Sequence, residues 1–75
     1  MTAEERLLQQ IRENIIKYRH KKGLTQIELA ARSGLEKSHI GKFETTNHNH
    51  TAATLLKLAK ALEIAPWQLL KGDDD

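Results

Sequence analysis

The side chains of this sequence that are best suited to chemistry lie close together in the segment 37–42. Lys37 and Ser38 are followed one helical turn later by Gly41 and Lys42, so a helix would carry all four on one face. Ammonium and hydroxyl groups on such a face can bind phosphates and donate hydrogen bonds to base edges. The pattern therefore indicates nucleic-acid binding. It does not indicate catalysis, because it contains no nucleophile paired with a base.

Two short helices joined by a tight turn must hold this face in place. Thr25 is a favourable N-cap, and Glu28 three residues later completes a capping box for a helix over residues 26–33. Gly34 can then adopt positive φ and turn the chain into a second helix over residues 37–44. The apolar positions of the two helices are Ile27, Leu29, Ala30, Leu35, Ile40 and Phe43. This helix-turn-helix, residues 26–44, is an arrangement that presents its second helix to the major groove of DNA.

The flanking segments predict three more helices and hence an all-α, five-helix bundle. Apolar spacing predicts a first helix over residues 3–22, a fourth over residues 52–62 capped by Thr51, and a short fifth from Pro66. The core-facing positions of the first and fourth helices are Leu7 or Leu8, Ile11, Ile15, Tyr18, Leu55, Leu58, Ala59 and Leu62.

Composition limits the classes of protein that fit. Seventy-five residues form one small domain, and the absence of cysteine excludes a disulfide scaffold. No apolar run is long enough for a membrane span and no signal peptide is visible, so we expect a cytoplasmic protein. The net charge of +2 includes Asp73, Asp74 and Asp75, so the rest of the chain carries +5. This distribution fits a basic DNA-binding face with an acidic tail, although an ordinary solvated surface is the alternative.

A metal centre or an enzyme is a weaker interpretation. His48 and His50 lie two positions apart, but there is no cysteine in the chain and no carboxylate in the run 47–50, so the zinc signal is weak. No nucleophile–base pair and no glycine-rich phosphate loop is present. We therefore expect no catalytic residues, no metal, no cofactor and no small-molecule ligand.

The ordered set of residues resembles the XRE family of helix-turn-helix domains, the class of the phage repressors and Cro proteins. Its lead-in is present as Ile15, Arg19 and the tetrapeptide at residues 23–26, Gly-Leu-Thr-Gln. The resemblance covers residues 10–72, which leaves residues 1–9 as a helical extension of the first helix and residues 73–75 as an acidic tail. It implies a fold like that of the lambda repressor DNA-binding domain.

The resemblance also implies roles for particular residues. It places contacts to bases at Lys37, Ser38 and Lys42, with His39 touching a base or a phosphate, although a solvated helix face is the alternative. It places contacts to the DNA backbone at Thr25, Gln26, Thr46, Asn47, His48 and Asn49. It further implies that Arg19 and Glu44 form a structural ion pair.

The sequence departs from the family after the third helix. Thr46 and His50 stand where the family most often has glycine and proline. Without that glycine, we expect Asn47 to adopt the left-handed conformation that ends the helix.

The implied function is that of a transcriptional regulator, a repressor or autoregulator, which binds a two-fold operator as a homodimer. The expected dimer interface contains Ile64, Trp67, Leu69 and Leu70, although Trp67 would serve equally well in the core. A restriction-modification controller and an antitoxin that binds a toxin are two subclasses of fitting size. The rival interpretation is a protein-interaction module that keeps the fold without using it on DNA.

Overall fold

The computed structural model describes residues 1–72, and the predicted acidic tail, residues 73–75, lies outside this part. The described chain contains four α-helices and no strand, which confirms the all-α prediction. The helices are α1 (Ala3–Lys21), α2 (Gln26–Ser33), α3 (Lys37–Thr45) and α4 (Ala52–Leu62). No helix within this part of the chain has the length and apolar character that crossing a membrane requires.

Threonine hydroxyls begin three of these helices. Each accepts a hydrogen bond of 3.1 Å from the amide three residues later, which satisfies one of the free N–H groups of the first turn. The three pairs are Thr2 with Glu5, Thr25 with Glu28, and Thr51 with Thr54. At the predicted turn between α2 and α3, Gly34 has φ +73°, as expected of a left-handed helix end.

The core lies where the four helices meet, and it is built from aliphatic side chains with one phenyl ring. Its members are Ile11, Ile15, Leu24, Leu29, Ala30, Ile40, Phe43, Leu58, Ala59, Ala61, Leu62 and Leu69. Ile27 was expected in this set, but its side chain is 65% exposed. The reason is geometric: at about 100° per residue, Ile27 lies roughly 110° around α2 from the centre of the buried face, which carries Leu29, Ala30 and Ser33.

Helix α3 ends without a left-handed residue, so the prediction for Asn47 is wrong. Thr46 has extended backbone angles, φ −132° and ψ 160°, and the only residue outside glycine with positive φ in the described chain is Glu63. The hydroxyls of Thr45 and Thr46 donate to the carbonyls of Gly41 and Lys42, each at 2.8 Å. The Lys42 carbonyl also accepts from the Thr46 amide at 3.0 Å, so the hydroxyls add second hydrogen bonds to the last turn of α3.

The predicted fifth helix is a single 3₁₀ turn, Pro66–Leu69, and Asn14 of α1 binds the end of this turn. The Asn14 side chain is 1% exposed, and its Nδ2 donates to the carbonyl oxygens of Gln68, Leu69 and Lys71 at 3.3, 2.8 and 2.9 Å. One side chain therefore ties the middle of α1 to the end of the fold.

Replacement of Asn14 by alanine removes this donor from the buried carbonyl of Leu69 and from the partly buried carbonyls of Gln68 and Lys71. We expect the Asn14→Ala variant to lose about 2–3 kcal/mol of unfolding free energy, measured by urea denaturation. Asn49→Ala is the matched control, since Asn49 is exposed and its replacement should change stability by less than about 0.5 kcal/mol. Equal losses in the two variants would contradict the role assigned to Asn14.

Candidate nucleic-acid interface

Helix α3 carries the predicted base-contacting side chains on its exposed surface. Lys37, Ser38, His39 and Lys42 are all exposed, while the opposite face of the helix packs Ile40 and Phe43 into the core. Lysine and serine on this surface are free to meet a ligand in a groove. The His39 ring stacks against Phe43 at a centroid distance of 6.2 Å, so it lies towards the loop over residues 46–50 and to one side of the lysines.

Gly41 lies on the same surface of α3 although the fold does not require a glycine there. A Cβ added at Gly41 would meet Gln26 Oε1 at 3.9 Å, an ordinary van der Waals distance, and φ is not positive. Glycine inside a helix is less favourable than alanine by about 1 kcal/mol. The helix therefore has an open backbone between Lys37 and Lys42, where a ligand can approach closely.

One ion pair joins the ends of α1 and α3. Arg19 donates to Glu44 through Nε at 2.6 Å and Nη2 at 2.8 Å, and through Nη1 to the carbonyl of Leu24 at 2.9 Å. The side chains are only 12% and 5% exposed. The hydrogen bonds that Arg19 donates to the Glu44 carboxylate raise the pKa of Arg19 above its ordinary value, so the guanidinium stays charged. The two side chains of the predicted ion pair are therefore bound to each other.

Gln26 joins this pair from α2. Its Nε2 donates to Glu44 Oε1 at 3.1 Å, so the first residues of α2 are bound to the last turn of α3. This contact holds the two helices of the motif at a set angle. The contact uses one of the two Nε2 hydrogens of Gln26 and leaves the other for a ligand. Gln26 is one of the residues predicted to contact the DNA backbone.

Thr25 presents less to a ligand than the resemblance implies. Its amide donates to Glu28 Oε1 at 2.9 Å while its hydroxyl accepts from the amide of Glu28. The hydrogen bonds that the Thr25 amide and the Thr25 side chain donate to the Glu28 carboxylate lower the pKa of Glu28. The carboxylate beside Thr25 disfavours an anion at the very start of α2.

The loop over residues 46–50 is held by aromatic packing. The His50 ring meets Phe43 edge-on at a centroid distance of 4.5 Å, and His48 lies 5.0 Å from both rings. His50 Nδ1 is buried with no hydrogen-bond partner. Burial, with a smaller contribution from His48, lowers the pKa of His50 to about 4. The inner histidine is therefore neutral at physiological pH, while Thr46, Asn47 and Asn49 lie on the outside.

The described residues include no cluster of three or more potential metal ligands. The pair His48 and His50 packs as aromatic rings against Phe43.

The C-terminal residues predicted for a dimer interface separate into two groups. Leu69 is fully buried, so it belongs to the core and its assignment to the interface is wrong. Ile64 is half-buried against the core. Trp67 is 59% and Leu70 43% exposed, which excludes a core role for the tryptophan and leaves an apolar surface.

Sequence reasoning missed one cation near the loop. Arg12 of α1 donates from Nε to Asn47 Oδ1 at 3.0 Å across 35 residues of sequence. No motif marks this contact, because it depends on how α1 passes the end of α3. Only the assembled bundle brings Arg12 to the loop.

Comparison with known proteins decides the family. The sequence model of the helix-turn-helix family matches residues 15–66, a span that begins within α1 and ends at the final turn. The chain belongs to the XRE-type helix-turn-helix family. This confirms the resemblance found in the sequence, and the family is a class of DNA-binding transcription regulators.

Three relatives illustrate the membership. The control protein C.SmaI of Serratia marcescens is 43% identical over 58 residues, which cover 77% of this chain and 69% of that protein. The restriction-modification controller protein C.AhdI of Aeromonas hydrophila is 39% identical, with a TM-score of 0.77 over 83% of this chain and 94% of that one. The hypothetical transcription factor NHTF of Neisseria is 30% identical, with a TM-score of 0.87 over 99% and 85% of the two chains.

The ion pair of this helix-turn-helix domain should be strongly coupled. Arg19→Met or Glu44→Leu alone leaves a charge with little access to water, so we expect each to lose about 3 kcal/mol of unfolding free energy. The double variant should lose less than the sum, by about 1–3 kcal/mol, in a double-mutant cycle followed by urea denaturation.

The matched control is the exposed ion pair of Lys22 with Glu63. Its atoms are 2.8 Å apart, but the side chains are 32% and 64% exposed. Its coupling should stay below about 1 kcal/mol. Comparable coupling in the two pairs would show that the Arg19–Glu44 contact is an ordinary surface pair.

The lowered pKa of His50 predicts a pH dependence of stability. Its pKa is about 4 in the folded protein and 6.5 in the unfolded chain, so the unfolded state binds more protons between these values. Stability should fall as the pH drops from 6.5 towards 4, by up to about 3 kcal/mol.

Urea denaturation at pH 7 and pH 5 tests this expectation. His50→Leu should remove most of the pH dependence, whereas His39→Leu, a change at the exposed ring of the same cluster, should preserve it. An unchanged dependence in His50→Leu would assign the effect to another group.

Proposed function

We propose that this protein is a sequence-specific transcriptional regulator, a repressor or autoregulator, that inserts α3 into the major groove. The observation that carries the proposal is the exposed surface of Lys37, Ser38 and Lys42 on a helix whose angle is set by the Arg19–Glu44–Gln26 contacts. A lysine ammonium group can donate to guanine O6 and N7, and a serine hydroxyl can pair with either a donor or an acceptor on a base edge. Contacts of this kind require a helix held rigidly relative to the backbone-binding elements.

The backbone contacts in this proposal come from both sides of α3. The start of α2 supplies Gln26, and the loop after α3 supplies Thr46, Asn47, His48 and Asn49. These side chains carry hydroxyl, amide and imidazole donors, and residues 46–50 include no carboxylate to repel phosphate.

The active form in this proposal is a homodimer on a two-fold operator. A single helix-turn-helix reads one half-site, and pairing of two copies multiplies affinity and specificity. The exposed Trp67 and Leu70 provide an apolar surface for the second copy. Ile64 is half-buried at the edge of the core.

The specific role we propose is control of a restriction-modification operon. Two relatives in which the match covers more than three quarters of this chain support this role: C.AhdI is a restriction-modification controller protein, and C.SmaI is a control protein. The Asn49-x-Thr51 run before α4 resembles the controller proteins, although it also occurs more widely in the family.

Selection from a randomised duplex library tests the proposal. We expect enrichment of a near-palindrome. Lys37→Ala and Lys42→Ala should each weaken binding to it by about 5- to 100-fold, because a base contact contributes about 1–3 kcal/mol. Lys57→Ala is the control, since Lys57 is an exposed lysine on α4 and its loss should have little effect.

Sedimentation of the same variants tests the assembly. Trp67→Ala should shift the protein from dimer to monomer and weaken operator binding, whereas Leu56→Ala removes an exposed leucine of α4 and should do neither. No enriched sequence in the library would overturn specific recognition and favour the rival, a protein-interaction module with a toxin-like or other protein partner.

A further inference from the structure

Arg12 and Arg19, which both lie on α1, have different hydrogen-bond partners. Arg19 is neutralised by Glu44, whereas Arg12 bonds to a neutral amide, Asn47 Oδ1, at 3.0 Å. Within residues 1–72 no carboxylate lies at ion-pair distance from Arg12. Its positive charge is therefore not neutralised by the described chain.

The hydrogen bond defines what both side chains present outwards. The Nε–H of Arg12 can only donate, so the amide of Asn47 must place its oxygen inwards and its Nδ2 outwards. Arg12 is half-buried and Asn47 exposed. The Nη1 and Nη2 groups of Arg12 and the Nδ2 group of Asn47 have no acceptor among the described residues. Two adjacent side chains therefore present only N–H donors and one full positive charge.

A phosphodiester is the ligand that fits this combination. Guanidinium groups bind phosphate oxygens bidentately through their N–H pairs, and an adjacent amide adds a third donor. The site adjoins the loop over residues 46–50, whose outer residues Thr46 and Asn49 also carry polar side chains. A base edge is a less suitable ligand for this site, because Arg12 does not belong to the exposed surface of α3 that carries Lys37 and Ser38.

We propose that Arg12 and Asn47 together bind a backbone phosphate of duplex DNA, so that α1 contributes a contact from outside the helix-turn-helix. The inference rests on the proposed DNA-binding function and extends it to a residue of the first helix. The Nε bond orients the Asn47 amide, while the Nη groups and Nδ2 hold the phosphate. The contact strengthens binding without reading sequence.

The salt dependence of operator binding tests the proposal. Each phosphate neutralised in B-DNA contributes about 0.9 to the slope of log affinity against log salt concentration. Arg12→Ala should reduce that slope by about one unit and weaken binding several-fold at 150 mM salt, about equally for different operator sequences. Arg12→Lys should retain most of the slope. Asn47→Ala should weaken binding and leave the slope unchanged.

Arg6→Ala is the matched control, because Arg6 is an exposed arginine of the same helix six residues earlier and on a different face. It should change neither slope nor affinity. Thermal denaturation of each variant verifies folding, and Arg12→Lys keeps the test valid if Arg12→Ala is unstable. A weaker affinity with an unchanged slope in Arg12→Ala would overturn the phosphate contact and leave Arg12 as a positioning residue for the loop.

Nuclear magnetic resonance separates DNA from free phosphate as the ligand. The Arg12 Nε and Asn47 Nδ2 resonances should shift on addition of operator duplex and stay in place with inorganic phosphate at the same concentration. Equal shifts with both would overturn the assignment to the DNA backbone. Absence of any operator binding by the unaltered protein would instead refute the proposed function, which keeps the two failures distinct.

Discussion

The fold depends on one carboxylate, Glu44, at which three helices meet. It accepts from Arg19 at the end of α1 and from Gln26 at the start of α2, while it belongs to the last turn of α3. In a domain of this size the apolar core is small, so helix angles are not determined by packing alone. The charged hydrogen bonds of Glu44 fix these angles, because such bonds weaken steeply when their distance or direction changes. The orientation of α3 towards any ligand therefore depends on these contacts.

Local signals explain why so much of the architecture could be predicted from the sequence. Helices α2 and α4 have the predicted bounds, since Thr25 and Thr51 start them and Gly34 ends the first of them. All of these signals act within four residues of chain. The family resemblance also came from an ordered set of such residues, and residues 15–66 match the family.

Features that depend on distant contacts could not be predicted in the same way. Leu69 is apolar and near the chain end, which suits a core or an interface equally, and only the packing of α1 against the final turn decides. The final 3₁₀ turn is bound by Asn14, whose acceptors lie 54 to 57 residues away. The contact of Arg12 with Asn47 has the same origin. Ile27 shows a further limit, because apolar spacing alone placed it on the buried face although it is largely exposed.

The threonine caps have a consequence for the time that the domain needs to assemble. Thr2, Thr25 and Thr51 each bond an amide three residues ahead, so the start of each helix is encoded beside it. Helical domains dominated by such short-range contacts fold within about microseconds to milliseconds. Synthesis at about 5–20 residues per second is far slower. The rate at which folded copies of the domain accumulate in a cell is therefore governed by translation rather than by folding.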